Sequence, residues 1–337
     1  MAPMIEPLLS ILLPVRNGQP FLPAALDSLL GQTFRCWELV CVDDGSTDET
    51  PRILADYARQ DRRIRIITTD HQGIVGALTA GLDACRAPLV ARMDGDDISH
   101  PRRLERQFAF MEENPGVGLV ACGFRHFPRQ GVRVGMRSYE SWQNTLLTHE
   151  LITRDLFVES PFVHPSVVFR KSLVLAAGGY RDPGWSEDYD LWLRLAAAGV
   201  RFARLPETLF FWRDRPERLT RTDPAYSAAS FRACKIHHLK QGFLSGSDAV
   251  TLVGAGQEGR AWMRSLGEAG IGLSHWIDVD PRKQGRLLHG APVLSPETEE
   301  LSGKLLVTVG TRGAREGIRS WLASRGLTEG VEILCVT

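Results

Sequence analysis

The sequence of 337 residues predicts an α/β fold, a parallel doubly wound sheet flanked by helices and followed by a second, smaller α/β unit. Apolar runs of strand length alternate with helix-period patterns between residues 8 and 93. A turn-rich stretch at 242–248 interrupts the chain, and the alternation restarts at 249. The length exceeds one average domain, and the 43% hydrophobic and 24% charged fractions are those of an ordinary globular protein.

In chain order, residues 8–15 form an apolar strand, 20–32 a helix, 38–42 a buried strand and 50–60 a helix. Ser46 or Asp48 caps that helix and Pro51 suits its first turn. A strand at 64–68, a helix at 74–84, a strand at 89–93 and a helix at 101–114 opened by Pro101 complete the regular part. Residues 115–180 are less regular, with a strand at 117–124, a Gly/Arg-rich stretch at 128–137, a helix at 142–153 and a strand at 166–169. A helix at 188–198, a strand at 200–205, a basic and aromatic stretch at 210–221 and a helix at 225–241 follow. Beyond the linker, strands at 249–253, 274–278, 304–309 and 331–336 alternate with helices. The expected domains are therefore 1–241 and 249–337.

Forty basic and forty acidic residues balance to zero, so no basic field points to nucleic acid. Six scattered cysteines show neither a C-x-x-C nor zinc spacing and read as reduced. The N-terminus lacks a basic targeting region, and its apolar run at 8–15 is far shorter than the ~20 residues of a membrane helix. No transmembrane segment and a cytoplasmic location are expected.

The segment Ala91-Arg92-Met93-Asp94-Gly95-Asp96-Asp97-Ile98 places acids at the carboxyl end of a strand, where open α/β sheets bind ligands. Side chains alternate in extended chain, so Asp94 and Asp96 are expected on one side, Cα atoms roughly 7 Å apart, with Gly95 leaving room between them. Two such carboxylates share one oxygen-loving cation, Mn2+ or Mg2+, whose open positions take substrate phosphates. A solvated turn is the plainer account of a D-x-D standing alone.

Two further segments add context. Val42-Asp43-Asp44-Gly45-Ser46-Thr47-Asp48 again sets acids after a buried strand, where a carboxylate accepts hydrogen bonds from a base or ribose. Trp185-Ser186-Glu187-Asp188-Tyr189-Asp190 crowds three acids at a helix start with Ser186 as the expected cap. Helix N-termini stabilise carboxylates, so Asp188 should stay ionised and fit to take a hydroxyl proton. His164 alone reads as a packed or capping histidine. Trp185, Trp192, Phe210, Phe211 and Trp212 read as core, and Arg213, Arg215, Arg218 and Arg221 as a solvated basic loop rather than contacts for a diphosphate or an anionic membrane surface.

Leu13-Pro14-Val15-Arg16-Asn17-Gly18, the Val42–Ser46 turn, residues 73–81 and 91–98, His164-Pro165-Ser166-Val167, and Gly178-Gly179-Tyr180 through Glu187-Asp188-Tyr189 occur in that order. With this order and spacing the sequence resembles the family 2 glycosyltransferases over about residues 7–215. The resemblance implies the GT-A fold, a mixed, mainly parallel nucleotide-sugar-binding sheet, and inverting transfer from a nucleotide-diphosphate sugar to a glycan or lipid-linked acceptor. It implies that Asp44 contacts the base, that Asp94 and Asp96 hold metal and diphosphate, and that His164 lies by the metal or the diphosphate. Asp188 would deprotonate the acceptor, with Pro14, Arg16, Asn17, Asp43 and Glu187 in the substrate site. Arg16 stands where many members have a tyrosine that packs on the base, and Leu78-Thr79 replaces a pair that is often Arg-Asn or Leu-Asn. Peripheral contact with the inner face of the membrane is a further expectation for a lipid-linked acceptor.

Val253-Gly254-Ala255-Gly256-Gln257-Glu258-Gly259 lies between a strand and a helix, the context of a dinucleotide fingerprint, and Asp278 or Asp280 ends the next strand. Gly254, Gly256, Gly259 and Asp278 are thus candidate cofactor contacts. With Gly310-Thr311-Arg312 opening a later helix, the segment resembles the Rossmann-like nucleotide-binding domain found ahead of sugar acyltransferases. A non-catalytic nucleotide- or carbohydrate-binding protein and an NAD-dependent oxidoreductase are the competing readings.

Overall fold

A computed structural model describes residues 6–297, 301, 303–311 and 313–337. Arg312 of the second domain's glycine-led turn lies outside the described residues. The chain divides into two units, the first comprising Met1–Ile152, Pro161–Pro183 and Glu187–Thr222, the second Thr153–Ser160, Gly184–Ser186 and Asp223–Thr337.

In the first unit, β1 (Leu9–Val15), β2 (Trp37–Asp44), β3 (Ile64–Thr69) and β4 (Leu89–Arg92) pair in parallel. Between them run α1 (Leu22–Leu30), α2 (Thr50–Gln60) and α3 (Gly73–Ala84). Every residue of β1 and β2 is buried, as a parallel strand covered on both faces requires. On one face, Leu9, Ile11, Leu13 and Val15 join Leu22, Ala25, Leu26 and Leu29 of α1, whose spacing lays one apolar stripe on the sheet. On the other face α3 comes so close that a Cβ at Gly81 would stand 2.2 Å from Leu12 Cδ1 and 2.8 Å from Val42 Cγ2.

The remaining strands are β5 (Ile98–Ser99), β6 (Val117–Phe127), β7 (Val167–Arg170) and β8 (Arg201–Arg213), and the sheet order is β3-β2-β1-β4-β7-β6-β8-β5. The first half is parallel as read, but β4–β7, β6–β7 and β5–β8 are antiparallel, so the sheet is mixed and mainly parallel. Because the chain leaves β1 toward β2 and β3 and returns to β4 on β1's other side, a crevice opens at the carboxyl ends of β1 and β4. The helices of this part are α4 (Arg103–Glu113), α5 (Val134–Thr145), α6 (His149–Arg154), α7 (Lys171–Ala176), α8 (Glu187–Ala197) and α9 (Leu219–Thr222). The helix expected at 142–153 is thus two helices, α5 reaching back into the Gly/Arg-rich stretch. The strand expected at 200–205 runs on to Arg213, because the partner strand accommodates the bulge at Pro206 and Glu207. A Cβ at Gly123 would stand 2.8 Å from Glu207 O, so only glycine admits that bulge.

The second unit holds α10 (Ala228–Gln241) and a six-stranded sheet of order β11-β12-β10-β9-β13-β14. Its strands are β9 (Ala249–Val253), β10 (Gly272–Ile277), β11 (Leu287–Leu288), β12 (Ala291–Leu294), β13 (Leu305–Val307) and β14 (Ile333–Cys335). Helices α11 (Gln257–Glu268) and α12 (Ala314–Ser324) accompany them. Sequence assigns α10 to the first domain, yet Ile236 and Leu239 join the core of the second unit with Trp262, Leu266 and Trp276. Apolar side chains on α10, not the turn-rich stretch after it, decide where the division falls. No helix among the described residues is long and apolar enough to cross a membrane.

Candidate active site

The loops after β1 and β2 are stitched together. Asn17 takes a left-handed backbone, φ 51°, one of the few conformations where asparagine rivals glycine. There its backbone N–H donates to Ser46 Oγ at 2.9 Å and its Oδ1 accepts the N–H of Thr47 at 2.8 Å. Gly18 N–H donates to Thr50 Oγ1 at 2.8 Å and Gln19 N–H to Asp48 Oδ2 at 3.1 Å. Ser46 therefore serves Asn17, and of the two expected caps it is Asp48 that accepts the N–H of Thr50, at 2.9 Å. Pro14 is buried in β1 opposite Val42, and Arg16 is exposed.

Asp43 turns inward and accepts the N–H of Ser46 at 3.1 Å. Asp44 is 4% exposed and receives four hydrogen bonds: Thr69 Oγ1 and Gln72 N–H on Oδ1, His71 Nδ1 and Gly73 N–H on Oδ2. Burial alone would raise this carboxyl, but the bonds from Gln72, His71, Thr69 and Gly73 hold it below the usual carboxylate range. Asp44 thus latches the start of α3, and its roughly four acceptor positions are filled from within.

Beyond β4 the chain does not stay extended. Asp97 N–H reaches back to Asp94 O at 3.4 Å, so the acids ride a turn. Asp94 and Asp96 are brought together as expected, by a turn rather than by strand alternation, and Asp97 joins them: carboxylate oxygens of all three lie within 4.8 Å of one another. Asp97, to which sequence gave no role, is wholly buried; its Oδ1 accepts the N–H of Arg213 at 2.7 Å, and its Oδ2 finds no partner among the described residues. Burial, with Asp96 and Asp94 beside it, pushes its carboxyl well above the ordinary value against the pull of Arg218.

Arginines answer these acids. Arg92, buried on β4, donates to Asp94 Oδ1 at 2.6 Å. Arg218 lies 3.3 Å from Asp97 and 3.5 Å from Asp94, and Arg215 Nε donates to Asp96 Oδ2 at 2.7 Å. Burial opposes ionisation of Asp94, but Arg92, Arg218 and His164 outweigh it and lower its carboxyl. The Arg213 guanidinium sits between the rings of Phe21 and Phe127, 4.6 and 4.4 Å from their centroids, and donates to Asp96 O at 2.6 Å. Of the stretch expected to be a solvated basic loop, Arg213, Arg215 and Arg218 form the cationic wall of the acidic turn, while Arg221 pairs locally with Asp214. The acids these three meet lie more than a hundred residues away in sequence, beyond the reach of local charge patterning. Trp192, Phe210 and Trp212 are buried as expected of core aromatics.

His164 is 7% exposed, shares a hydrogen bond of 2.9 Å with Tyr180 Oη and has Glu187 Oε1 3.6 Å from its Nδ1. Burial and then the Arg92 charge lower its imidazole to about 3, so the ring is neutral, while Asp188 and Asp94 pull the other way. His164 does not belong to the oxygen group formed by Asp94, Asp96 and Asp97. Its Nε2 is taken by Tyr180 Oη, whereas Glu187 Oε1 at 3.6 Å lies beyond hydrogen-bond reach of Nδ1. Asp188 opens α8, and its Oδ1 accepts the N–H of Tyr189 at 2.6 Å.

Would a divalent cation fit? Three clustered carboxylates are the hard oxygen donors Mg2+ and Mn2+ prefer, and Asp97 brings a buried oxygen with no other partner among the described residues. Asp94, Asp96 and Asp97 fit such an ion.

In the second unit the Gly254 turn ends β9, with φ 102° at Gly254. A Cβ at Gly259 would stand 1.9 Å from Gly254 O, whereas one at Gly256 would meet nothing within 4 Å. A cleft of about 840 Å³ opens beside this turn, lined in part by Gly256, Gln257, Asp278, Lys283, Thr308 and Trp321. Asp278 does not face it as a free ribose acceptor: Ala255 N–H and Lys283 Nζ each donate to its Oδ2 at 2.8 Å, and Asp280 N–H donates to Oδ1 at 2.8 Å.

Residues 10–175 match the family described as Glycosyl transferase family 2. The O-antigen biosynthesis glycosyltransferase WbnJ of Escherichia coli is 30% identical over 237 residues, covering 69% of this chain and 88% of WbnJ. The UDP-Gal:alpha-D-GlcNAc-diphosphoundecaprenol beta-1,3-galactosyltransferase of Escherichia coli is 27% identical over 237 residues, covering 70% of this chain and 84% of its own. Among solved structures, S. aureus TarS 1-349 in complex with UDP-GlcNAc superposes with a TM-score of 0.56 at 17% identity, covering 77% of this chain and 80% of that one, a likeness of fold.

Proposed function

Because the chain belongs to the family 2 glycosyltransferases, we propose that its first unit is an inverting enzyme that moves a sugar from a nucleoside diphosphate, a UDP-sugar, onto a hydroxyl of a glycan or lipid-linked acceptor. The observation that supports the reading is the cluster of Asp94, Asp96 and Asp97 just beyond the carboxyl end of β4, inside the stretch 10–175 that matches the family.

Asp188 takes the proton of the acceptor hydroxyl as that oxygen attacks the anomeric carbon. The bond from that carbon to the diphosphate breaks on the opposite face, and the nucleoside diphosphate leaves with the bonding pair. Asp94, Asp96 and Asp97 would hold the Mn2+ or Mg2+ ion, which when bound offsets the charge of the leaving diphosphate. His164, neutral, holds Tyr180 beside the base. The stitched loops carrying Pro14, Arg16, Asn17 and Asp43 line the nucleotide side; Asp44, latched to α3, shapes that side from behind.

The names of the relatives support polysaccharide biosynthesis with a UDP donor and, for one, a lipid-linked acceptor, and so a cytoplasmic enzyme working at the inner face of the membrane. For the second unit, the cleft beside Gly254, Gly256 and Gly259 supports a bound nucleotide, with Asp278 holding the glycine turn in shape.

The test is release of nucleoside diphosphate from a panel of nucleotide sugars with Mn2+, Mg2+ or a chelator. Turnover of a UDP-sugar that stops with chelator and with Asp188→Asn is expected; full activity of that variant would remove the mechanism.

A further inference from the structure

Three carboxylates within 4.8 Å repel one another unless cations sit between them, and this chain supplies those cations itself. The three guanidiniums are not equivalent. Arg92 is 2% exposed on β4 and tied to Asp94, so it has nowhere to go. Arg218 is 9% exposed and held from several sides: its Nη1 donates to Arg213 O at 2.6 Å, Asp97 lies 3.3 Å away, and its guanidinium sits 4.5 Å over the Trp212 ring. Displacing either would strand a buried charge, a severe cost.

Arg215 differs. Its side chain is one-third exposed, it stands in the irregular segment between β8 and α9, and its carboxylate partner is Asp96 Oδ2 at 2.7 Å. Let go, its guanidinium leaves Asp96 and its place 5.5 Å over the Phe21 ring for water, at a smaller cost than the buried Arg92 or Arg218 would face.

We infer that Arg215 is a built-in counter-ion that occupies Asp96 in the cation-free protein and is exchanged for the divalent cation, so that metal binding frees the segment between β8 and α9. This rests on the reading of Asp94, Asp96 and Asp97 as the cation's ligands. Arg215 lowers the apparent metal affinity by the fraction of molecules in which it holds Asp96. Arg221, on α9, carries the same charge but pairs with Asp214 and touches Arg215 only at its backbone O, 3.2 Å away, so it exerts the bulk field without the competition.

The experiment measures Mn2+ affinity of the nucleotide-free protein from the paramagnetic resonance signal of free Mn2+, in wild type, R215M, R215Q and R221M. Both Arg215 variants should bind Mn2+ roughly twofold to fivefold more tightly, for a pair of this exposure, and R221M should match wild type. In wild type, Mn2+ should also raise amide hydrogen exchange across residues 214–222. Unchanged affinity in the Arg215 variants, an equal gain in R221M, or unchanged exchange would overturn the exchange role. Absence of Mn2+ binding in every protein, with or without UDP, would overturn the metal reading along with it.

Discussion

Asp44 Oδ2 accepts the backbone N–H of Gly73 at 2.9 Å, and with Gln72 N–H on the other oxygen at 2.8 Å it fastens the end of β2 to the start of α3. An amide in its place would aim a second donor at one of these N–H groups. Asp44→Asn should therefore cost about 1–3 kcal/mol, read from urea denaturation midpoints, and should weaken UDP-sugar binding as the loop loosens. A variant as stable as wild type would show that the latch contributes nothing.

Asp188→Asn keeps an oxygen to accept the Tyr189 N–H, so the start of α8 should persist. Loss of the base should lower kcat by roughly 10²–10⁴-fold while the KM for donor stays within a few-fold, measured by nucleoside diphosphate release at saturating acceptor.

Glu38 provides the acid limb of stability. Burial would raise its carboxyl, but Ser10 Oγ, Arg86 N–H, Arg65 and the Arg86 guanidinium bond it strongly enough to hold it below the ordinary glutamate value of 4.5. The unfolded chain then binds the proton first, so this stabilisation is complete above the unfolded value and disappears as pH falls through the folded one. Glu38→Gln should be less stable than wild type at pH 7 and approach it below about pH 4. Denaturation midpoints that stay separated by a constant amount from pH 7 to pH 3 would contradict this.

The two glycines of the second unit should part company. Gly259→Ala puts a methyl into the Gly254 carbonyl and should destabilise by about 1–3 kcal/mol, as overpacking against backbone does. Gly256→Ala meets open space and should leave thermal stability unchanged while reducing nucleotide binding in the cleft, measured by calorimetry on the full chain.

Where periodicity and burial agree, sequence was enough: α2 begins and ends at Thr50 and Gln60 as read, and β1 to β4 lie where the apolar runs put them. It failed where a distant partner decides. Pro206 and Glu207 look like a strand end until Gly123 on β6 makes room for them, and α5 hides in a Gly/Arg-rich stretch whose apolar side is narrow. That Asp94 and Asp96 come together was legible because they sit two residues apart in one short turn. The pairing of Arg215 and Arg218 was not, because what distinguishes a paired arginine from a solvated one is an acid more than a hundred residues upstream.

Asn17 and Arg16, adjacent in the loop after β1, have opposite tolerances. Asn17 is pinned by its backbone and by Ser46 and Thr47, so a residue that cannot adopt φ 51° would unpick two loops at once. Arg16 is exposed, on a mount that does not depend on it. The loop thus works as a cassette: position 16 can be saturated while position 17 is left untouched, and the library should fold.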